Sequence, residues 1–309
     1  MALIIHVGSS RAQWWKEHLQ SLLPDVPCFL WDDPVDPASI EFAVVWKPPV
    51  GGLKRFPNLR CIVSMGAGID HVLADTELPA GIPIIRTTGP DLTQRMREYV
   101  CLHVLRLHRR LPEIEAAQDA REWLQLINPP APGRRVGVMG LGNLGADCAR
   151  ALGLIGFDVA GWARTAKALD GVEVFAGPDE LPAFLGRTEI LVCLLPLTPA
   201  THGILDRHLF AQLPAGASVI NVARGEHLVD DDLLAALDSG HLAYATLDVF
   251  HQEPLPPEHP FWDHPKVLVT PHVGSLIDPV AGGAVIAANV RRFIEGEPIA
   301  DMVDLDKGY

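Results

Sequence analysis

No stretch of this 309-residue chain is both long and apolar enough to span a bilayer; runs such as Ile190–Leu195 fall far short of the ~20 residues required. Cysteine is sparse. Cys28, Cys61, Cys101, Cys148 and Cys193 are scattered among apolar neighbours and form no CxxC pair, which speaks for buried reduced thiols rather than disulfides or a thiolate metal site. HExxH is absent, and His259 and His264 lie in a proline-rich loop with no obvious third ligand, so no metal is expected. Positive charge is outnumbered: 25 Lys and Arg face 38 Asp and Glu, for a net charge of −13. That balance disfavours nucleic acid and anionic membranes as partners. It also repels any anionic substrate, which local cations must then recruit. The chain enters a strand pattern at once (Leu3-Ile4-Ile5-His6-Val7) without a basic segment, signal core or small-residue cleavage site, so a cytoplasmic protein is expected.

What is present is organised around residues 134–165, which read as strand, glycine turn, helix, strand. Val136, Val138 and Met139 form an apolar run suited to a buried parallel strand. Gly140, Gly142 and Gly145 then fit GxGxxG, with Asn143 and Leu144 between them, and Ala149, Leu152 and Leu154 supply the buried side of a helix. Such glycines make a tight turn, admit a pyrophosphate to the backbone and let the helix pack close to the sheet. A dinucleotide cradle is expected here. NAD sites usually carry Asp or Glu after the second strand, but here Ala163, Arg164 and Thr165 stand there, with Lys167 just beyond. A guanidinium at that point can grip a 2′-phosphate, so NADPH is expected over NADH.

The length suits two domains of ordinary size. Strands are expected at 3–8, 26–31, 41–46, 61–65 and 83–87, with a helix near 11–23, a βα series implying a mostly parallel sheet. Within it Met65-Gly66-Ala67-Gly68 is a glycine turn after a strand, either plain turn chemistry or a nest of N–H groups for a carboxylate. The spacing predicts a helix over 91–111 ended by Pro112, with Arg106–Arg110 on a solvated face. Residues 112–133 read as irregular, a linker or an arm on a second subunit. Beyond the glycine motif, strands are expected at 190–195, 217–222, 243–249 and 267–270. Helices are expected at 179–185, 206–213, 230–238 and 280–294. Asp230, Asp231 and Asp232 are placed to cap the third of these.

Three stretches follow the later strands, at the edge where open α/β sheets bind ligands: Asn221-Val222-Ala223-Arg224-Gly225, Leu247–Pro254 and Thr270-Pro271-His272-Val273-Gly274. Singly, each has a bland reading as a solvated arginine, a loop carboxylate or a satisfied histidine. Together they supply what reduction of a 2-keto acid needs. Arg224 offers a fork for the substrate carboxylate, His272 a proton donor, and Glu253 a carboxylate to orient the imidazole and favour its charged form.

The order GxGxxG, ARG, DVFxxEPLP, TPHV resembles the D-isomer-specific 2-hydroxyacid dehydrogenases. QWW near the start, VVWKPP, MGAGID, LLPLTPATHGI, DDLLAALDSG and a terminal KGY liken it to their glyoxylate- and hydroxypyruvate-reducing group, over essentially the whole chain. The resemblance implies two doubly wound parallel-sheet domains, a Rossmann coenzyme domain and a flavodoxin-like substrate domain. It assigns 1–97 and 277–309 to a discontinuous substrate domain closing on a coenzyme domain at 98–276, with the helices near 91–111 and 280–295 as crossings. It also implies a homodimer formed through the coenzyme domains. Arg224, Glu253 and His272 would be catalytic. Beside the glycine loop, Ala163, Arg164, Thr165, Leu195, Pro196, Val222, Ala223, Asp248 and His272 would meet the coenzyme, Asp248 near the nicotinamide carboxamide. Trp46, Met65, Gly66, Ala67, Gly68, Arg224 and His272 would meet a small anionic 2-keto acid. After TPHV, Gly274-Ser275-Leu276-Ile277-Asp278 departs from the small apolar and basic residues usual there, which leaves open a larger or aromatic keto acid. A nucleotide-sensing regulator on the same fold is the alternative of a different class.

Overall fold

The computed structural model describes residues 1–8 and 11–303; the terminal Lys307-Gly308-Tyr309 lies outside the described residues. The chain divides into two compact units, Met1–Leu92 with Ile277–Tyr309, and Thr93–Leu276. Each is described by itself.

In the first unit, β1 (Ala2–His6), β2 (Cys28–Leu30), β3 (Ile40–Val45), β4 (Cys61–Ser64) and β5 (Ile84–Ile85) are short, nearly continuous apolar runs. Such runs form strands covered on both faces. All four pairings are parallel, in the order β2-β1-β3-β4-β5, which is the flavodoxin-like order. Helix α1 (Ala12–Leu22) buries Trp15 and Leu19 against the sheet, and α2 (Asp70–Leu73) is a single turn after β4.

Helix α3 (Pro90–His108) is the helix expected over 91–111, but α4 (Leu111–Asp119) follows it, so the first part of the stretch 112–133 is helical and not irregular. Arg110 breaks the run with φ +56°, and Pro112 sits in the first turn of α4 instead of ending α3. A first-turn N–H has no intrahelical acceptor, so proline loses nothing there. Arg106 and Arg110 are not simply solvated; they pair with Glu115 and Glu113 of α4 at 2.7 and 3.0 Å.

The second unit carries β6 (Arg135–Met139), α5 (Asn143–Ile155), β7 (Asp158–Ala163), β8 (Glu173–Ala176), α6 (Gly177–Gly186), β9 (Ile190–Cys193), α7 (Arg207–Phe210), β10 (Ala217–Asn221), α8 (Asp230–Asp238), β11 (Leu242–Leu247) and β12 (Val267–Val269). The sheet order is β12-β11-β10-β9-β6-β7-β8, entirely parallel, the dinucleotide-binding order with one further strand. Val136, Val138, Ile190 and Val192 face Val100, Val104, Cys148 and Leu152 on one side, while Met139, Leu191 and Val219 face Phe184, Phe210 and Leu233 on the other. Arg97 of α3 reaches Asp147 of α5 with two prongs, 2.6 and 2.7 Å long. The expected caps of α8 are not made. Its N-cap is Val229, Asp232 instead accepts from the Arg207 backbone N and Nε at 3.0 Å each, and Asp230 faces His251 and His259. The acidic run still lies in the first turn, where it offsets the helix dipole.

The last helix, α9 (Pro279–Glu295), returns to the first unit and packs along α1. It is capped by Asp278, which accepts from Val280 and Ala281 N–H at 3.0 Å. Among the described residues no helix is long and apolar enough to cross a membrane.

Candidate active site

The switch point of the seven-stranded sheet lies between β6 and β9, whose connections leave to opposite sides. β6 runs there into Gly140, at φ +94°. A Cβ on Gly140 would lie 2.6 Å from the Leu194 carbonyl oxygen, and one on Gly145 would lie 1.8 Å from that of Gly140. No larger residue fits either position, because α5 is packed directly onto the loop. Gly142 is the opposite case. A Cβ there meets nothing within 4 Å, and as N-cap of α5 it offers the first-turn N–H groups no side-chain acceptor. Close packing behind, open space in front and a 13-residue helix N-terminus aimed at it make a fit for a dinucleotide pyrophosphate.

The other expected coenzyme residues lie along the same carboxyl edge. β7 ends at buried Ala163, followed by exposed Arg164 and Thr165, and Lys167 Nζ donates to the Leu141 carbonyl. Leu195 and Pro196 follow β9, Val222 and Ala223 follow β10, and Asp248 follows β11.

Beyond β10, Arg224 is held at both backbone ends. Its carbonyl accepts from Asn221 Nδ2 at 2.9 Å, and its N–H meets His227 Nδ1 at 3.2 Å. His227 is fully buried, and burial pulls its imidazole below the usual value, so it is neutral. Its Nε2 faces the Pro196 carbonyl at 3.3 Å, and its Nδ1 lies 3.2 Å from both the N–H and the carbonyl of Arg224. The guanidinium donates through Nη1 to the Ala223 carbonyl at 2.6 Å. Gly225 explains how this loop meets the one after β11: a Cβ there would lie 2.0 Å from the Phe250 carbonyl carbon.

Glu253 and His272 come together. His272 Nδ1 lies 2.9 Å from Glu253 Oε2 and 3.1 Å from Oε1, and the same Oε1 accepts from the Phe250 N–H at 3.2 Å. With Nδ1 turned to the carboxylate, Nε2 is the nitrogen left for a substrate. Asp248 is 1% exposed, and its carboxylate accepts from Thr270 Oγ1 at 2.6 Å, Val273 N at 2.9 Å and Gly274 N at 2.8 Å. Desolvation raises its carboxyl above the ordinary value, and those three donors work against that rise.

In the first unit, the Met65–Gly68 turn follows β4. Ser64 Oγ donates to the Gly68 carbonyl at 2.9 Å and faces His71 Nε2 at the same distance, while Lys47 N–H donates to His71 Nδ1 at 3.0 Å. Among the described residues, Ala67 and Gly68 N–H have no hydrogen-bond acceptor. Trp46 lies over the turn, so that a Cβ on Gly66 would come 3.1 Å from its ring.

Among the described residues no three His, Cys, Asp or Glu side chains are placed to hold a metal. All five cysteines are unbridged; four are buried and Cys101 half-buried, and burial pushes the Cys61 thiol up to about 12.

Residues 101–274 match the family described as D-isomer specific 2-hydroxyacid dehydrogenase, NAD binding domain. The chain belongs to the D-isomer-specific 2-hydroxyacid dehydrogenase family. It is 41% identical, over the full length of both chains, to a glyoxylate/hydroxypyruvate reductase A of Serratia proteamaculans. Among solved structures it is similar to a D-isomer specific 2-hydroxyacid dehydrogenase from Xanthobacter autotrophicus Py2 in complex with NADPH and MES, at 43% identity, TM-score 0.95, and 100% and 99% coverage of the two chains. It is also similar to an NADPH-dependent glyoxylate/hydroxypyruvate reductase from Sinorhizobium meliloti in complex with NADP and sulfate, at 40% identity, TM-score 0.93 and 100% coverage of both.

For a 2-hydroxyacid dehydrogenase, the residues missed by sequence reasoning are those that hold the others in place. His227 stands three residues after Arg224, and its one signal in the sequence was a histidine that close to a candidate ligand. Tyr99 gave no such signal, and Thr270 was marked only by its place in the stretch that carries His272.

Proposed function

We propose that this dehydrogenase reduces glyoxylate and hydroxypyruvate to the 2-hydroxy acids, with NADPH as reductant. The observation that carries the reading is the Glu253–His272 pair, at the carboxyl edge of the sheet whose switch point holds the glycine cradle. In this reading Gly140, Gly142, Asn143, Leu144 and Gly145 hold the pyrophosphate. Leu195, Pro196, Val222, Ala223 and Asp248 line the nicotinamide side. Bound there, NADPH supplies the hydride. Arg224 grips the substrate carboxylate, and Trp46, Met65, Gly66, Ala67 and Gly68 are assigned to the same substrate, the open N–H groups of the turn serving its anionic end. His272 donates a proton through Nε2 to the forming alkoxide while Glu253 holds Nδ1. The unit Thr93–Leu276 serves the coenzyme, and Met1–Leu92 with Ile277–Tyr309 the substrate. Trp46 against the turn favours a small keto acid over an aromatic one, because the indole occupies the space beside Gly66.

NADPH oxidation in the presence of glyoxylate, hydroxypyruvate and phenylpyruvate tests the reading. The first two are expected to be reduced and phenylpyruvate poorly; no oxidation with any of them would leave the regulator. Arg164 and Thr165, in place of a carboxylate, are assigned to the 2′-phosphate. Arg164→Ala is expected to weaken NADPH about tenfold and leave NADH unchanged, the low end for a charge-assisted contact because the side chain is exposed. Titration with both coenzymes checks it, and equal losses for the two would dismiss the assignment. The chain is further assigned to the cytoplasm and to a homodimer, in which exposed Trp123 and Ile127 beyond α4 would be covered by the second copy.

A further inference from the structure

His272 has φ +53°, in the left-handed region that only a few per cent of non-glycine residues enter, histidine among the more frequent of them. A residue kept there is held by its surroundings. The backbone part of the hold is visible: His272 N–H donates to the Asp248 carbonyl at 2.8 Å and lies 3.0 Å from that of Thr270. The side-chain part is the Asp248 carboxylate, whose three donors all come from residues 270–274 on either side of His272.

One of those donors is itself held. Thr270 Oγ1 has a single hydrogen, and an ionised carboxylate can only accept, so that hydrogen goes to Asp248 Oδ1. The Tyr99 hydroxyl, 2.6 Å from the same Oγ1, must then donate to it. The result is a directed chain, Tyr99 to Thr270 to Asp248, running from α3 to the loop that carries the imidazole. Each bond polarises the next toward the buried charge.

We infer that Tyr99 and Thr270 are positioning residues for His272, acting through Asp248 to fix the 270–274 loop in the conformation from which the proton is given. The inference rests on the reading of His272 as proton donor. Burial opposes ionisation of Asp248, while its three donors, Thr270, Val273 and Gly274, and the charge of His272 favour it. The other titratable groups facing the chain are Tyr99, whose hydroxyl burial holds well above its usual range, and His103, whose ring centroid lies 4.2 Å from that of Tyr99 at a tilt of 51° and which burial pulls down to about 4. Neither supplies a charge near neutral pH. Loss of the Thr270 hydroxyl therefore raises the Asp248 carboxyl further, and the acid limb of turnover moves to higher pH.

The test compares Tyr99→Phe, Thr270→Val and Thr270→Ser with wild type in keto acid reduction against pH, in NADPH binding by fluorescence, and in amide exchange over 270–274. Thr270→Val is expected to lower kcat about two- to tenfold, the range for one neutral hydrogen bond, with the acid limb displaced upward. Tyr99→Phe shifts the limb the same way by less, and Thr270→Ser restores it. NADPH affinity stays unchanged, and exchange of the loop amides quickens in the two slow variants. Exchange needs no turnover, so the brace is tested even if wild type fails to reduce glyoxylate, a result that would count against the assigned reaction alone. If Thr270→Val does not fold, Tyr99→Phe carries the comparison. Profiles and exchange rates that superimpose on wild type would overturn the inference, as would a loss of NADPH affinity equal to the loss of rate.

Discussion

Replacing His272 with alanine is expected to lower keto acid turnover by about 10²–10⁴, the usual span for a positioned general acid, with NADPH affinity little changed. The alkoxide formed by hydride addition must take a proton, and the imidazole is braced for that by both oxygens of Glu253. Glu253→Gln should cost less, because the amide keeps an oxygen for Nδ1–H and removes only the charge. The two residues form one unit, so the double variant should be no slower than His272→Ala alone. Glu253 also accepts from the Phe250 N–H, so part of any loss belongs to loop geometry. Turnover of wild type, both single variants and the double at saturating coenzyme separates these effects. A double variant much slower than His272→Ala would show that Glu253 acts independently, and the donor would need another partner.

Arg224→Lys comes next in size. With several N–H donors in one plane, a guanidinium can hold the Ala223 carbonyl and a substrate carboxylate together, whereas an ammonium is a point charge on a flexible stem. Loss of the paired, charged contact is expected to reduce kcat/KM by about ten- to a hundredfold, corresponding to ~1.5–3 kcal/mol. The net charge of −13 sharpens the expectation, since little else in the long-range field favours an anion. Stability should hardly change, because the backbone of Arg224 is held by Asn221 and His227 whatever its side chain. A lysine variant with wild-type kcat/KM would remove Arg224 from the substrate.

The elements that sequence made legible are those whose signal is local. The span of α5 follows from glycines at one end and periodic apolar residues along it; β9 is an unbroken apolar run, and β10 and β11 are mostly apolar. β8 escaped because Glu173–Ala176 is a four-residue strand at a sheet edge with no side chain fully buried, so neither alternation nor a buried run marks it. α4 escaped because proline reads as a stop unless the next turn is known to restart on it. The pairing of Glu253 with His272 joins residues 19 apart and rested on chemistry. The contact of Tyr99 with Thr270 joins residues 171 apart and had no chemical cue at all. Gly225 could be read as part of a motif, but only the fold shows that its missing side chain lets two loops touch.

Arg224, the Asp248–Glu253 stretch and His272 leave the ends of β10, β11 and β12, three neighbours in one parallel sheet, so every reactive side chain emerges along a single edge. The turns that lead into those strands lie on the other edge and carry none of the chemistry. Ser239 and Gly240, exposed just before β11, form one such turn, with open space around the glycine. A dye, an affinity handle or a surface linker attached at that turn would ride on the same rigid strand as Asp248 while staying a full strand length away from it.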